Sequence, residues 1–158
     1  MRAVVQVTKS CSLTIDEKTV WTCKKGMMVL LGIARDDTRE IADKMIDKLL
    51  KLRIFPDENG KINLSALQTG AEIGVISNFT LYANCASQRR PDFARAMGYR
   101  EAQPLYAYFL EAMGKAAAAW QAEGVPAPVV KGGVFGADML LDIQNDGPLT
   151  VILDSAEF

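Results

Sequence analysis

The order of strand-like and helix-like segments is the feature that most restricts the fold of this chain. Strand patterns outnumber helical ones, and they do not alternate with helices as they would in a doubly wound fold. No repeat or linker divides the 158 residues, a length that suits one hydrophobic core. We therefore predict a single α+β domain over residues 1–158. Its sheet is expected to be curved, barrel-like and mostly antiparallel, and to carry two long helices.

Most of the strand patterns lie in the first 34 residues. Residues 2–8 are rich in β-branched side chains, and residues 11–15 alternate between apolar and polar positions. A short strand is predicted at 18–22, after a turn. Residues 27–34 form an apolar run that is typical of a strand buried on both faces. Another apolar run, within residues 72–82, predicts a further strand.

Two segments have apolar residues at helical spacing. The first is predicted to begin with Asp37 as its N-cap and Glu40 three residues later, and to end near Arg53. The second is predicted over residues 101–123, and Gly124 directly after it is typical of a helix end.

The remaining segments are predicted from turn residues and cysteine spacing. Residues 83–100 show little periodicity and predict a loop, with a short helix within it as an open alternative. Final strands at 137–144 and 149–154 flank a turn-like stretch at 145–148. The three cysteines are odd in number and widely spaced, so they are expected to be buried free thiols: Cys11, Cys23 and Cys85.

Composition predicts a soluble cytoplasmic protein. The longest apolar run, residues 27–34, is far shorter than the roughly 20 residues that a membrane span needs. The N-terminus enters a strand pattern directly and has no signal-peptide layout. The net charge of −1 and pI near 5.5 give no global sign of nucleic-acid binding, although Arg89 and Arg90 form a local basic pair.

The chain contains no histidine. This excludes Ser-His-Asp and Cys-His nucleophilic machinery and the common zinc sites built on histidine. Catalysis would have to use carboxylates, lysine, tyrosine, backbone amides or a group on the substrate.

Two short segments are candidates for chemistry. The first, Ser77-Asn78-Phe79-Thr80-Leu81, ends an apolar strand and is equally compatible with a strand that continues past a polar bend. The second, Asn145-Asp146-Gly147-Pro148-Leu149-Thr150, is equally compatible with a hairpin turn. Neither segment identifies an enzyme by itself.

Together the two segments resemble the D-aminoacyl-tRNA deacylase family, formerly called D-tyrosyl-tRNA deacylases. The family's Ser-Gln-Phe-Thr-Leu segment corresponds to residues 77–81, and its Asn-x-Gly-Pro-x-Thr signature corresponds to residues 145–150. Asn78 departs from the family glutamine. Other segments also match in the family's order: Met1–Gln6, Leu52–Phe55, Arg89–Pro91, Pro104–Tyr106, Phe135–Met139 and Leu153–Ser155.

The resemblance implies a homodimer that hydrolyses the ester bond of D-aminoacyl-tRNA without a metal or cofactor. It also implies that Gly147 and Pro148, joined by a cis peptide, enter the partner's active site and screen the chirality of the amino acid. Because glycine has no side chain to exclude, glycyl-tRNA mischarged on tRNA-Ala is an expected second substrate. Neither DNA nor a membrane is an expected partner.

For the mechanism, we predict a catalytic segment of Ser77, Asn78, Phe79 and Thr80. A neutral threonine hydroxyl is a weak nucleophile without an adjacent base, and no histidine is present. Backbone N–H groups of Asn78, Phe79 and Thr80 would instead stabilise the oxyanion. The 2′-hydroxyl of the terminal ribose, or a water that it positions, would assist proton transfer, while Thr80 and Ser77 orient the substrate.

Two alternatives remain open at this point. The chain could be a divergent relative that acts on another aminoacyl ester, or a catalytically weakened RNA-binding dimer, for which Asn78 is the hint. Arg89 and Arg90 are candidate tRNA contacts in either case, and a solvated loop is the competing interpretation of that basic pair.

Overall fold

A computed structural model describes residues 1–86 and 88–158; Ser87, which falls in the predicted 83–100 loop, lies outside the described residues. The described residues form eight strands: β1 (Arg2–Ile15), β2 (Lys18–Cys23), β3 (Gly26–Gly32), β4 (Phe55–Pro56), β5 (Ile62–Leu64), β6 (Glu72–Ser77), β7 (Val130–Gly132) and β8 (Leu140–Asp154). They are accompanied by three α-helices and two 3₁₀ turns: α1 (Arg39–Lys51), α2 (Ala66–Thr69), α3 (Tyr99–Ala118), and the turns Phe79–Tyr82 and Ser155–Glu157.

The main sheet has six strands in the order β2-β1-β3-β6-β7, with β8 pairing along β1. Strand β1 is antiparallel to β2, β3 and β8, whereas β3–β6 and β6–β7 are parallel pairs. The α+β class and the barrel-like sheet are therefore confirmed, but the sheet is mixed rather than mostly antiparallel. The parallel pairs arise because α1 and α3 return the chain to the same end of the sheet, as crossover connections do.

Strand β1 is continuous from Arg2 to Ile15, although the sequence predicted two separate segments. Its length lets it pair with β3 over residues 2–8 and with β2 over residues 11–15, while β8 follows it along both parts. A register shift between Leu13 and Thr14 is the irregularity in its pairing with β2. All the antiparallel pairings of the main sheet share this strand, whereas β4 and β5 form a separate two-stranded antiparallel sheet.

The hydrophobic core lies between one face of the sheet and helices α1 and α3. Strand β3 contributes Met27, Val29 and Leu31 to this core, while Met28 packs in a smaller cluster on the opposite face. Burial on both faces, as predicted for residues 27–34, is thus confirmed for β3. The helices contribute the fully buried side chains of Met45, Leu49, Phe109 and Met113.

Both long helices are present, but their ends differ from the prediction. Helix α1 begins after Thr38 rather than Asp37. The Asp37 carboxylate instead accepts hydrogen bonds from the Met1 ammonium and the Ala34 N–H, each at 2.6 Å. Because Asp37 binds the N-terminus of the chain, it does not cap α1. Helix α3 spans Tyr99–Ala118, so it begins two residues earlier and ends five residues earlier than predicted.

The three cysteines are free, but they are not all buried. Cys11 and Cys23 are buried, as expected, whereas Cys85 is exposed. In the described part of the chain, no helix is long and apolar enough to cross a membrane.

Candidate functional site

The segment that follows β6 is shaped by the end of the parallel pairing with β3. Ser77 is the last residue of β6 and pairs with Leu31. The Asn78 N–H donates to the Leu31 carbonyl at 2.7 Å, which fixes the chain where strands β3 and β6 end. The backbone then turns into the 3₁₀ segment Phe79–Tyr82, where the Leu81 N–H donates to the Asn78 carbonyl at 3.3 Å. The polar bend predicted as one option for residues 77–81 is therefore a strand end followed by a 3₁₀ turn.

Two backbone donors at the start of this turn are unpaired. The first N–H groups of a helical turn have no intrahelical acceptor, and those of Phe79 and Thr80 have no hydrogen-bond partner among the described residues. The Asn78 N–H is occupied by Leu31. The prediction of three donors is therefore wrong for Asn78, because its N–H is hydrogen-bonded to the neighbouring strand of the sheet. Two adjacent donors remain for an anionic oxygen.

The Asn78 and Thr80 side chains contact each other. The Thr80 hydroxyl donates a hydrogen bond to the Asn78 Oδ1 atom, while the Thr80 residue as a whole is exposed. The amide of Asn78 therefore fixes the orientation of the hydroxyl. An amide oxygen accepts this hydrogen bond but does not take up the proton, so the pair provides no general base for Thr80.

Two adjoining cavities, of about 320 Å³ and about 350 Å³, flank the turn. They share the lining residues Ser77, Asn78, Phe79, Tyr99 and Phe135. The larger extends along Gly136, Ala137 and Met139, and the smaller along Leu31, Ile33, Met97 and Ala102. The walls are mainly apolar, and the polar lining residues that both cavities share are Ser77, Asn78 and Tyr99.

Aromatic side chains form the walls of these cavities. The Tyr99 and Phe135 rings meet edge to face with centroids 5.1 Å apart, and the Phe79 and Phe93 rings meet at 4.9 Å. Sequence reasoning did not assign Tyr99 or Phe135 to the site. The signal that was available was the family-like segment Phe135–Met139, which the fold brings to the cavity from 58 positions after Ser77.

Two tyrosines close to the residue 77–82 segment, Tyr106 and Tyr82, are held in the neutral form. Burial raises the pKa of Tyr106 to about 12, and its hydroxyl donates to the Val75 carbonyl at 2.8 Å. Burial, and then the negative charges of Asp37 and Asp154, raise the pKa of Tyr82 to about 12. Neither phenol is therefore a general base near neutral pH.

The loop that carries Arg89 and Arg90 is anchored beside the turn. Backbone hydrogen bonds of 2.7 Å and 2.9 Å join Asn84 to Asp92 and close the base of the loop. Both arginines are exposed. The fold thus places this basic pair on the loop that leads directly into Phe93, whose ring contacts Phe79.

Gly147 and Pro148 lie in a bulge of one continuous strand, not in a hairpin turn between two strands. Thr8 pairs with Asn145 and Gln6 pairs with Thr150, so β8 takes five steps where β1 takes two. The extra residues project from the sheet, because they have no opposing residue in β1.

The bulge is braced and exposed. The Asn145 side-chain amide donates to the Val7 carbonyl at 2.8 Å and to the Leu149 carbonyl at 3.1 Å, so it ties the two ends of the bulge together. The Gly147–Pro148 peptide is cis, as the resemblance implied, and Gly147 has a φ of +122°. Both residues are exposed and are not among the described residues that line the two cavities of the same chain.

Comparison with known proteins identifies the family. The D-Tyr-tRNA(Tyr) deacylase family matches residues 4–154. The chain belongs to this family. Relatives named D-aminoacyl-tRNA deacylase include those of Clostridioides difficile (strain 630), 45% identical over 99% of both chains, and Clostridium tetani (strain Massachusetts / E88), 43% identical over 98% of this chain and 97% of the other.

Solved structures of similar proteins share the fold. A c-Myc DNA Unwinding Element Binding Protein is 38% identical, covers 98% of each chain and superposes with a TM-score of 0.85. A probable eukaryotic D-amino acid tRNA deacylase has a TM-score of 0.76 at 20% identity, covering 96% of this chain and 97% of the other. The deacylase family thus places the chain among hydrolases that act on the ester bond of aminoacyl-tRNA.

Gly32 sets the position of the 3₁₀ turn of this deacylase. A Cβ atom at Gly32 would lie 3.0 Å from the Leu81 Cβ, and 3.2 Å from both the Asn78 carbonyl oxygen and the Tyr82 ring. Gly114 offers a matched control, because a Cβ atom there would meet open space. The glycine at the end of β3 therefore lets the turn pack directly against the sheet.

Replacing Gly32 with alanine is expected to displace the turn by a few tenths of an ångström. Since small misplacements of reacting groups are costly, kcat/KM for aminoacyl-tRNA hydrolysis should fall by roughly tenfold. The midpoint of thermal unfolding should change much less than the activity. Gly114→Ala should retain wild-type activity, and a Gly32→Ala variant with wild-type kcat/KM would show that the position of the turn does not limit the rate.

Proposed function

We propose that the chain hydrolyses the ester bond of D-aminoacyl-tRNA and releases the D-amino acid and the tRNA, which is chiral proofreading in translation. The observation that carries the proposal is the pair of N–H donors of Phe79 and Thr80 that have no partner among the described residues, beside the apolar cavity that Phe79 lines. The names of relatives about 45% identical over the whole length supply the substrate class.

The two N–H groups are suited to an oxyanion. Attack on the ester carbonyl develops negative charge on the carbonyl oxygen, and fixed backbone donors stabilise that charge without reorganisation. The hydrogen bond from Asn78 N–H to Leu31 holds the start of the turn, and the hydrogen bond from Ala83 N–H to Thr80 O, 3.0 Å long, holds its end. Backbone donors fixed at both ends are therefore already oriented before the substrate binds.

The attacking oxygen in this proposal is water. Thr80 lacks a basic partner, since its hydroxyl donates to an amide oxygen. The neutral Tyr106 and Tyr82 do not supply a base either. The 2′-hydroxyl of the terminal ribose lies next to the ester in the substrate, so it can orient the water and pass a proton to the leaving oxygen.

The terminal adenosine fits the apolar cavities beside the turn. A base stacks readily on aromatic side chains, and Tyr99 and Phe135 together present such a wall. With the base held there, the ribose and its ester would lie over the Phe79 and Thr80 N–H groups. Binding then depends on the nucleotide rather than on the amino-acid side chain, which allows many D-amino acids to be accepted.

The chirality filter is proposed to come from a second subunit. The bulge with Gly147 and Pro148 projects from the sheet and is exposed, as a segment that enters a partner's site would be. A glycine backbone can approach the α-carbon closely, because it has no Cβ atom. Such a wedge excludes any L-side chain, leaves D-side chains free and allows glycyl-tRNA mischarged on tRNA-Ala to react.

The remaining sequence predictions are kept as part of the proposal. Asn78, in place of the family glutamine, retains a role because its amide orients Thr80. Arg89 and Arg90 are proposed to contact tRNA phosphates from the loop beside Phe79. A metal or cofactor has no step in the proposed reaction.

The direct test compares hydrolysis of D- and L-aminoacyl-tRNA by the same preparation, with and without EDTA. We expect hydrolysis of the D-ester, sparing of the L-ester and full activity in the chelator. DNA of equal length is the competitor, because one structural relative is named for binding DNA. Rates that are equal for both enantiomers, or a loss in EDTA that a divalent ion restores, would contradict the proposal.

The filter is tested with Gly147→Ala. An added Cβ atom would lie 2.6 Å from the Leu149 nitrogen, at a φ of +122° that L-residues rarely adopt. We expect the ratio of D- to L-ester hydrolysis to fall by roughly tenfold or more, since rejection depends on the position of the wedge. Gly114→Ala should keep the wild-type ratio. An unchanged ratio and rate for Gly147→Ala would refute the assignment.

Mixed dimers test whether the filter acts across subunits. A dimer of one Gly147→Ala chain and one Gly32→Ala chain has one fully intact site if the turn and filter come from different chains. Hydrolysis of the L-ester needs an intact turn and an altered filter, so random exchange of equal amounts should lower it to about half the value of the unexchanged mixture, as expected for a symmetric dimer. If turn and filter come from the same chain, exchange should leave the L-ester rate unchanged.

A further inference from the structure

A third cavity, of about 360 Å³, lies at the opposite end of the 3₁₀ turn from the unpaired donors. Its lining includes Tyr82 and Ala83, at the end of the turn, and three arginines: Arg2, Arg35 and Arg95. Its walls are much more polar than those of the two cavities already described. None of these arginines was a candidate site residue in the sequence.

Backbone pairing brings Arg35 and Arg95 to the same rim. The Arg35 N–H donates to the Arg95 carbonyl at 3.1 Å, and the neighbouring residues Ala34 and Ala96 form an antiparallel bridge. The Arg35 guanidinium also donates to the Ala94 carbonyl at 2.7 Å, which restricts its position. Two residues that are 60 positions apart in the sequence thus line one cavity.

The charge balance of the cavity favours an anion. Asp154 forms an ion pair with Arg2 at 2.7 Å, and Asp37 forms one with the Met1 ammonium at 2.6 Å. The ion pairs in the described part of the chain include neither Arg35 nor Arg95. The charged lining residues outside these ion pairs are therefore two arginines, Arg35 and Arg95, and one carboxylate, that of Asp36.

We propose that this cavity binds the phosphodiester on the 5′ side of the terminal adenosine, with Arg35 and Arg95 as its principal ligands. The inference rests on the proposed function, because it takes the ester to lie over the Thr80 N–H. A 3₁₀ turn rises about 2 Å per residue, so Thr80 and Ala83 are roughly 6 Å apart along the turn. That separation is within the span of one nucleotide from its ribose to its own phosphate.

The chemistry of the lining is suited to phosphate. Arginine presents a planar fork of donors that matches the oxygens of a phosphate. Arg2 lies over the Tyr82 ring, with its guanidinium carbon 5.0 Å from the ring centroid, and its other contacts with Asp154 and the Leu81 carbonyl hold it in place. Arg2 therefore supports the wall, while Arg35 and Arg95 keep donors for a ligand.

The test uses two minimal substrates that differ by one phosphate. They are the 3′ D-aminoacyl esters of adenosine and of adenosine 5′-phosphate, together with full-length D-aminoacyl-tRNA. The variants are Arg95→Gln, Arg35→Gln and the double variant. Lys44→Gln removes one positive charge from an exposed position on α1 and is the matched control.

For the wild type, the 5′-phosphate should lower KM by roughly tenfold, as one charged phosphate contact would. The double variant should lose this preference, hydrolyse the adenosine ester with wild-type kcat/KM, and show a higher KM for tRNA at unchanged kcat. The slope of log affinity against log salt for tRNA should fall by about 1–2. Lys44→Gln should keep the phosphate preference.

Three outcomes would overturn the assignment. A wild type that does not distinguish the two esters shows that no phosphate binds here. Equal losses on both esters show that the arginines support the fold of the turn rather than a ligand. If the wild type hydrolyses no aminoacyl ester, the proposed function is wrong. The phosphate site is then tested separately by the affinity for uncharged tRNA. An affinity that is unchanged in the double variant overturns the phosphate site as well.

Discussion

The hydrogen bond from the Asn78 N–H to the Leu31 carbonyl, 2.7 Å long, is the contact on which the arrangement of the site depends. It is the last bond of the parallel β3–β6 pairing, and beyond it the chain leaves the sheet and turns. The turn leaves the N–H groups of Phe79 and Thr80 without acceptors among the described residues, because the first donors of a helical turn have no intrahelical partner. Gly32, directly after Leu31, allows the turn to lie against the sheet. The donors proposed to stabilise the oxyanion are thus a consequence of how a parallel pair of strands ends.

The proposed role of these backbone donors would allow an enzyme of this family to work without histidine. Side-chain catalysis of ester hydrolysis commonly needs a base, and the chain's sequence provides no imidazole. Backbone donors need no proton transfer and no pKa adjustment, so they can stabilise an oxyanion at any pH at which the fold is stable. The apolar walls around Tyr99 and Phe135 lie beside Phe79, so a substrate bound against them would displace water from the donors and strengthen each electrostatic contact.

Local patterns predicted much of the fold. The apolar periodicity of α1 and α3 and the alternation in β1 depend only on neighbours in sequence, so both helices and most strands were found within a few residues. The errors lie where distant residues decide the outcome. Asp37 binds the Met1 ammonium instead of capping α1, and the turn-like residues 145–148 bulge from one strand because β1 continues beside them.

The site was predictable only in part for the same reason. The segment of residues 77–80 and the pair Gly147-Pro148 carried motif signals in the sequence. By contrast, the meeting of Tyr99 with Phe135 depends on how α3 and the chain before β8 pack. The hydrogen bond of the Asn78 N–H to Leu31 depends on the register of β6 against β3. Neither arrangement leaves a pattern in the local sequence.

The central claim is that the protein supplies fixed backbone donors and no side-chain nucleophile. The most direct measurement is single-turnover hydrolysis of D-aminoacyl-tRNA esterified at the 3′ oxygen, with a terminal adenosine that carries or lacks the 2′-hydroxyl, by the wild type and by Thr80→Ala. The account predicts a loss of roughly 100-fold without the 2′-hydroxyl, in the range of lost acid–base assistance. It predicts a loss below about tenfold for Thr80→Ala, whose hydroxyl only orients the substrate. Full activity on the 2′-deoxy substrate, together with an inactive Thr80→Ala variant and a trapped acyl-enzyme on Thr80, would contradict it.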